Sequence, residues 1–372
     1  MGGGRRARPR RARPGRRAGP RRRRALSRRA RPAAGRRTGP GRGEPVTDAF
    51  VRLRRPLLLA GIAFLITVGA LFHFYVYPRT TVVPLEQTRV QRLVSPSATY
   101  LDTATFRLHR DVPVQNTVAV YGDMQAGDDR TAVWVEFSSL DTRDGERVDY
   151  HERRTAFDRR TGLAVDCCGA YVDEDPGVRQ TGLAFRLPAR AEPRSYAMFD
   201  PLLRREEQLR FEREETVAGV PAYRYTYSAG PVKTADLPGP VPGTTVGMPE
   251  EERVAVARYT EITRTIWVEP ESGLTVRTQE RRRDTLRTPD QVERLVAFDA
   301  DLTTSTAEVH AFAEEAARFR RWMLLTREWI PLGCALLAVL LAGGYAIGTR
   351  PVRSATAQHQ QQVPGHDLAN AG

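Results

Sequence analysis

The sequence predicts an α+β membrane protein: a large extracytoplasmic antiparallel β-sheet domain of two related β-meanders, flanked by two transmembrane helices. Three observations lead there. Leu57–Tyr77 and Trp329–Thr349 are uncharged apolar runs of 21 residues each. Between them, apolar and polar residues alternate with the period of two that marks strands with one buried face. A segment of 20 residues then recurs, without a gap, 111 residues further on.

The chain opens with an Arg-rich cytoplasmic segment, residues 1–55, carrying 21 arginines against Glu44 and Asp48. The net charge of +14 belongs to this segment, and the rest of the chain is mildly acidic. Lys233 is the sole lysine, a bias typical of GC-rich codons. Met1–Pro45 has almost nothing apolar beyond alanine, so burial cannot offset its ordering entropy and it is expected to be disordered. No aromatic residues are interleaved to stack bases, which argues against nucleic acid as a partner. Membrane lipids fit better, with Arg52, Arg54 and Arg55 as the headgroup contacts beside the first apolar run. Val46 is a candidate alternative start of translation, in which case the first 45 residues are not made.

At about 1.5 Å per residue, each apolar run reaches about 31 Å, enough to cross the hydrocarbon core. Tyr75 and Tyr77 form an aromatic belt at the far end of the first run, and Pro78 is expected to stop the helix. The run exceeds the apolar region of a cleaved signal peptide, and Tyr75-Val76-Tyr77-Pro78 is a poor cleavage site. Gly333, Gly343 and Gly344 in the second run offer close approach to another helix, and Cys334 is read as a packing residue. Arg52, Arg54 and Arg55 place the amino terminus in the cytoplasm by the positive-inside rule. Both termini are then cytoplasmic, 350–372 is a short tail, and residues 78–303 lie outside.

Within that domain Ala132–Phe137, Val220–Tyr227 and Arg264–Val268 read as strands. Arg147–Asp166 aligns with Arg258–Arg277, with Arg147/Arg258, Arg153/Arg264, Gly162/Gly273, Leu163/Leu274 and Val165/Val276 identical. Each copy looks like a hairpin whose loop ends at a glycine. Asp200–Glu215 reads as a short helix leading into a strand, and Lys233–Pro249, rich in Pro and Gly, as a mobile loop. In Thr304–Arg327, Val309, Phe312, Ala316, Phe319 and Met323 recur at helical spacing. Residues 304–328 are therefore expected to form a helical stalk running into the second span.

Chemistry-bearing residues are few. Cys167 and Cys168 are adjacent, and outside the cytoplasm they are expected to be oxidised, either to a disulfide with each other or to a link between chains. A thiol oxidoreductase using this pair is one functional alternative, and a structural pin for the turn is the simpler one. Tyr171–Gly177 is acidic but lacks the spaced ligands of a calcium loop. The histidines His73, His109, His151 and His310 are scattered. No paired-His metal spacing, nucleophile elbow or phosphate-binding loop is present, so neither a catalytic residue, a metal nor a cofactor is expected.

Taken together, the two end spans, Thr161–Cys168, Gly182–Phe185, Tyr196, Phe199-Asp200 and Trp267–Gly273 resemble the actinobacterial two-span membrane proteins named the PorA porin family. The resemblance covers Val51–Gly348 and implies an envelope location with no established activity. A pore in the outer-membrane style fits the residues badly, since the apolar content lies in two helices and the strands carry many Arg and Glu residues. The function expected is a non-enzymatic envelope protein whose β domain binds a lipid, a glycolipid or a protein partner. The alternative is an envelope scaffold.

Overall fold

Val, Thr, Tyr and Phe at alternating positions draw the middle of the chain into long antiparallel strands. The computed structural model describes residues 46–250 and 252–348, with side chains from Arg54 to Ile347. Residues 1–45, expected to be disordered, the Arg52 side chain and the tail 350–372 lie outside the described residues.

Strands β1 (Thr88–Asp102), β2 (Arg107–Gly122), β3 (Thr131–Thr142) and β4 (Arg147–Asp158) follow one another as a meander. Two short strands, β5 (Ala164–Val165) and β6 (Tyr171–Val172), pair with the free side of β4. The second half holds β7 (Tyr196–Asp200), β8 (Arg205–Val217) and β9 (Val220–Asp236), then the small hairpin β10 (Val241–Pro242) and β11 (Arg253–Val254). It ends with β12 (Ala257–Glu269), β13 (Leu274–Arg287) and β14 (Glu293–Thr304).

Pairing of β14 with β1 joins the halves into one sheet of 12 strands. Its order is β5-β4-β3-β2-β1-β14-β13-β12-β9-β8-β7, with β6 also on β4. The sheet curves into a half-barrel, and its two edges are joined at one place. There Leu183 bridges Leu163 beside β5 and Met198 in β7. The Ala164 N–H donates to the Gly182 carbonyl at 2.8 Å, and the Leu183 N–H donates to the Ala197 carbonyl at 2.8 Å.

The two copies of the internal repeat turn in the same way. The Asp158 carboxylate accepts the N–H groups of Arg160 and Thr161, and the Glu269 carboxylate accepts that of Ser272 at 2.8 Å. Gly162 and Gly273 donate their N–H to the carbonyls of Asp158 and Glu269, both at 2.8 Å. Their φ values are +75° and +69°, the left-handed region that favours glycine.

Two stretches differ from expectation. Asp200–Glu215 is not a short helix: Asp200 closes β7, its carboxylate accepts the Leu203 N–H at 2.8 Å, and Arg205–Val217 is a strand. The charge-rich sequence mimics a helix, but pairing with β9 decides the backbone, and Leu202 and Leu203 are buried by the turn. Lys233–Pro249 is built into the fold rather than left as a mobile loop. The last residues of β9 occupy its start, and Val241 and Val246 are buried against Leu286 and Ala297 at one end of the sheet. Pro and Gly here shape the 3-10 turn Gly243–Val246.

Helix α1 (Val46–Leu71) continues through a π turn (Phe72–Val76) into α2 (Tyr77–Thr80). Pro78 does not stop it, because proline in the first turn of α2 lacks only an N–H that would be unpaired there, and the helix ends at Thr80. The Ser305 hydroxyl caps α3 (Thr306–Leu324), which runs through a second π turn (Leu325–Trp329) into α4 (Ile330–Gly348). Arg54–Thr80 and Thr306–Ile347 are each long and apolar enough to cross a membrane.

The close approach between them comes from α1. A Cβ at Gly69 would stand 3.3 Å from the Cys334 Cβ, whereas Gly333, Gly343 and Gly344 have nothing within 4 Å. Phe312 and Ala313 of α3 pack on Trp267, Val276 and Ala222. Four ion pairs fasten the same helical run to the sheet: Arg92–Glu308, Arg89–Glu315, Arg320–Glu269 and Arg327–Glu271.

A Cβ at Gly273 would stand 2.4 Å from the Leu187 carbonyl oxygen and 2.5 Å from that of Pro188, while one at Gly145 would meet nothing. Gly273→Ala is therefore expected to destabilise the protein by more than Gly145→Ala, which should cost only the left-handed backbone strain of about 1–2 kcal/mol. Thermal unfolding of the two variants in neutral detergent measures the difference, and equal losses would contradict it.

Candidate functional site

Charged residues at alternate positions of β3, β4, β12 and β13 point to the inside of the curved sheet. On β13, Val276, Thr278, Glu280, Arg282, Asp284 and Leu286 are all buried. A cavity of about 310 Å³ lies inside, between these strands and the ends of α2 and α3. Thr80, Thr81, Val82 and Pro84, just after the first apolar helix, border it, as do Glu315 and Phe319 of α3. Leu93, Val118, Val120, Trp134, Phe185, Met198 and Ile266 give it an apolar wall, with Trp134 and Phe185 at 5.3 Å between ring centroids.

Arg153 and Arg264, equivalent in the repeat, stand directly across from glutamates on neighbouring strands. Arg153 donates Nε and Nη2 to Glu136 at 3.1 and 3.0 Å, and Arg264 donates Nε and Nη2 to Glu280 at 3.0 and 2.7 Å. Arg264 also donates Nη1 to the buried Asp200, which accepts the Tyr227 hydroxyl as well. Burial pushes the Asp200 carboxyl up, but Arg264, the Tyr227 hydroxyl and the Leu203 N–H outweigh it and hold it below the usual carboxylate range.

A second network surrounds Arg282. Its Nη2 donates to Asp284 at 2.7 Å and to Asp149 at 2.5 Å, while Arg258 lies 3.6 Å from Asp149. Burial raises the Asp149 carboxyl, and the charge of Arg282, with His151 and Arg258, lowers it by more. The His151 ring, whose Nδ1 is 3.0 Å from Asp173 and Nε2 3.4 Å from Asp149, also lines the cavity. Burial disfavours its charge, but these two carboxylates prevail and raise it to about 9.

Arg186 differs from these. It donates Nη2 to the Ser272 carbonyl, while its Nε is buried without a partner. Burial and the nearby charge of Arg89 push the Arg186 guanidinium down to about 10.

Of the residues singled out in the sequence, Cys167 and Cys168 are bonded to each other at an exposed turn and are not among the cavity-lining residues. Arg54 and Arg55 are exposed on α1, away from the sheet residues described above. Among the described residues no cluster of His, Cys, Asp and Glu could hold a metal ion. Sequence reasoning placed the charges of β12 and β13 on the solvent face, and so missed the cavity. The usable signal was Glu280-x-Arg282-x-Asp284, in which opposite charges at every second position share one face of a strand.

The outward side chains of β8 include Arg205, Glu206, Arg210, Glu212 and Glu214, all exposed, so this sheet does not face lipid. With two helices long and apolar enough to span, the molecule is a membrane protein of the cell envelope that carries a water-exposed β domain. A family model described as Porin PorA matches residues 56–346, and the chain belongs to the PorA porin family. A search of curated proteins gave no match.

Two predictions follow from the charge pairs. Arg264→Met leaves Asp200 and Glu280, 1% and 4% exposed, without their cation. The expected loss is about 3–5 kcal/mol, read from the denaturant midpoint, and a change under about 1 kcal/mol would show that the pair carries no weight. The second concerns pH. Because folding raises the His151 pKa from 6.5 to about 9, its contribution is complete below 6.5 and disappears as pH rises through 9. The unfolding temperature should fall over that window, and the fall should shrink in His151→Gln.

Proposed function

We propose that the chain holds its β domain on the outer side of the plasma membrane, both termini being cytoplasmic, and binds a lipid or glycolipid in the cavity without catalysing a reaction. The observation that carries this reading is the position of the cavity. Its wall is mostly apolar at one side, and its border is made by Thr80–Val82 at the end of the first apolar helix and by Phe319 on the helix that leads into the second. An amphiphile leaving a bilayer at the helix ends would meet that border first. Its volume falls at the low end of small-molecule sites, which span about 300–1,000 Å³.

The repeat supports the same reading. Two related meanders, each supplying one Arg–Glu pair, would give the cavity two equivalent walls. Arg52, Arg54 and Arg55 on the cytoplasmic side would meet anionic headgroups and fix the first helix in its orientation.

The test is native mass spectrometry, with lipid extraction, of the full chain purified from its membrane in mild detergent. About one bound amphiphile per chain is expected. Val118→Trp, which fills the cavity from β2, should lower the occupancy at least about fivefold, as overpacking by 1–3 kcal/mol would do. Equal occupancy in both proteins, or none in the wild type, would overturn the proposal.

A further inference from the structure

Every guanidinium lining the cavity except one has a carboxylate partner. Arg153 has Glu136, Arg264 has Asp200 and Glu280, Arg282 has Asp149 and Asp284, and Arg89 has Glu315. Arg186 makes no ion pair among the described residues. A buried cation without a counter-charge is expensive, so proteins rarely keep one unless an anion arrives from elsewhere.

The surroundings sharpen this. Arg89 donates Nη2 to the Thr275 carbonyl at 2.8 Å, and Arg186 donates to the Ser272 carbonyl. One short segment, Ser272–Thr275, thus holds two guanidiniums near each other. The acid that opposes them, Glu315, is 3.2 Å from Arg89 and its side chain is 46% exposed. The Arg153 guanidinium lies 4.3 Å from the ring centroid of Phe185, the residue before Arg186, and its Nη1 is buried without a partner. Unspent donors on Arg153 and Arg186 therefore share a cavity with the apolar Phe185, Leu274 and Phe319.

We infer that Arg186, assisted by Arg89, seats the anionic head of a single-chain amphiphile, a carboxylate or a phosphate, whose chain occupies the apolar part of the cavity. This rests on the reading of the cavity as a lipid site and adds the charge of the ligand. Planar guanidinium forks suit both oxyanions, since each can take two parallel N–H bonds. At about 310 Å³ the space suits one chain rather than two.

The experiment uses the full chain in nanodiscs of neutral phosphatidylcholine, with empty nanodiscs as the partition control. Dodecanoate, dodecyl phosphate and dodecanol are titrated at pH 7.5 and binding is read from tryptophan fluorescence, Trp134 being in the cavity wall. At least one of the two anions should bind about tenfold or more tightly than the alcohol, the range of a charge-assisted hydrogen bond. The stronger of the two anions identifies the headgroup. Arg186→Gln retains a donor for the Ser272 carbonyl and should bring the anion down to the affinity of dodecanol, with dodecanol itself unchanged.

Equal binding of all three to the wild type would overturn the anion seat and leave the lipid site standing. Binding of none would overturn the lipid site, and the seat with it. Competition by inorganic phosphate as effective as by dodecyl phosphate would show a free-anion site and overturn the amphiphile. Should Arg186→Gln fail to fold, the wild-type preference and its weakening by salt decide: a preference that salt leaves intact would contradict a charged seat.

Discussion

The cross-strand pairs Arg153–Glu136 and Arg264–Glu280 are the interactions on which the interior depends. A guanidinium taken out of water needs a hydrogen-bonded counter-charge, and directly opposite positions on antiparallel strands supply one at fixed register. The same demand recurs around Arg282, where Asp149 and Asp284 share one cation. A core made of valine and leucine alone would interdigitate to crystal-like density. Forked, paired side chains cannot collapse in that way, and the curved sheet keeps a cavity where they meet the apolar wall.

Those pairs also tie the sheet to the helices. Arg89 reaches from β1 to Glu315 on α3, and Glu269 and Glu271, in the turn between β12 and β13, reach Arg320 and Arg327. The turn that carries this attachment is held by the Glu269 carboxylate and closed by Gly273, where no side chain fits. Its repeat counterpart at Asp158–Gly162 has the same backbone but sits next to the bridge between the sheet edges. One turn geometry thus serves two tasks, set by what each turn packs against.

Much of this was legible before any coordinates. Apolar runs too long for a soluble helix marked both candidate spans, the period of two marked the strands, and Ser305 to Met323 read correctly as an amphipathic helix. The stretches that misled did so for a physical reason. Asp200–Glu215 and Lys233–Pro249 contain residues whose local preference is overruled by sheet pairing and by burial of Val241 and Val246. The cavity was hidden because Arg, Glu and Asp normally mark the solvent face of a strand, and nothing local says that Glu280, Arg282 and Asp284 point inward. Arg153 and Arg264 stood out in the repeat, but only the register shows their partners.

The porin name of the family sits uneasily with this geometry. The exposed strand residues are charged, the interior is occupied by paired ions and packed clusters, and the apolar surface belongs to the helices. A ligand-holding domain tethered at both ends accounts for those features. The most direct measurement is an experimental structure of the full chain purified from its native membrane in mild detergent. The account expects elongated density in the cavity, running from the Arg186 guanidinium along Phe185 toward Val118. Ordered water alone in that space, with Arg186 bonded to protein acceptors at every donor, would contradict it.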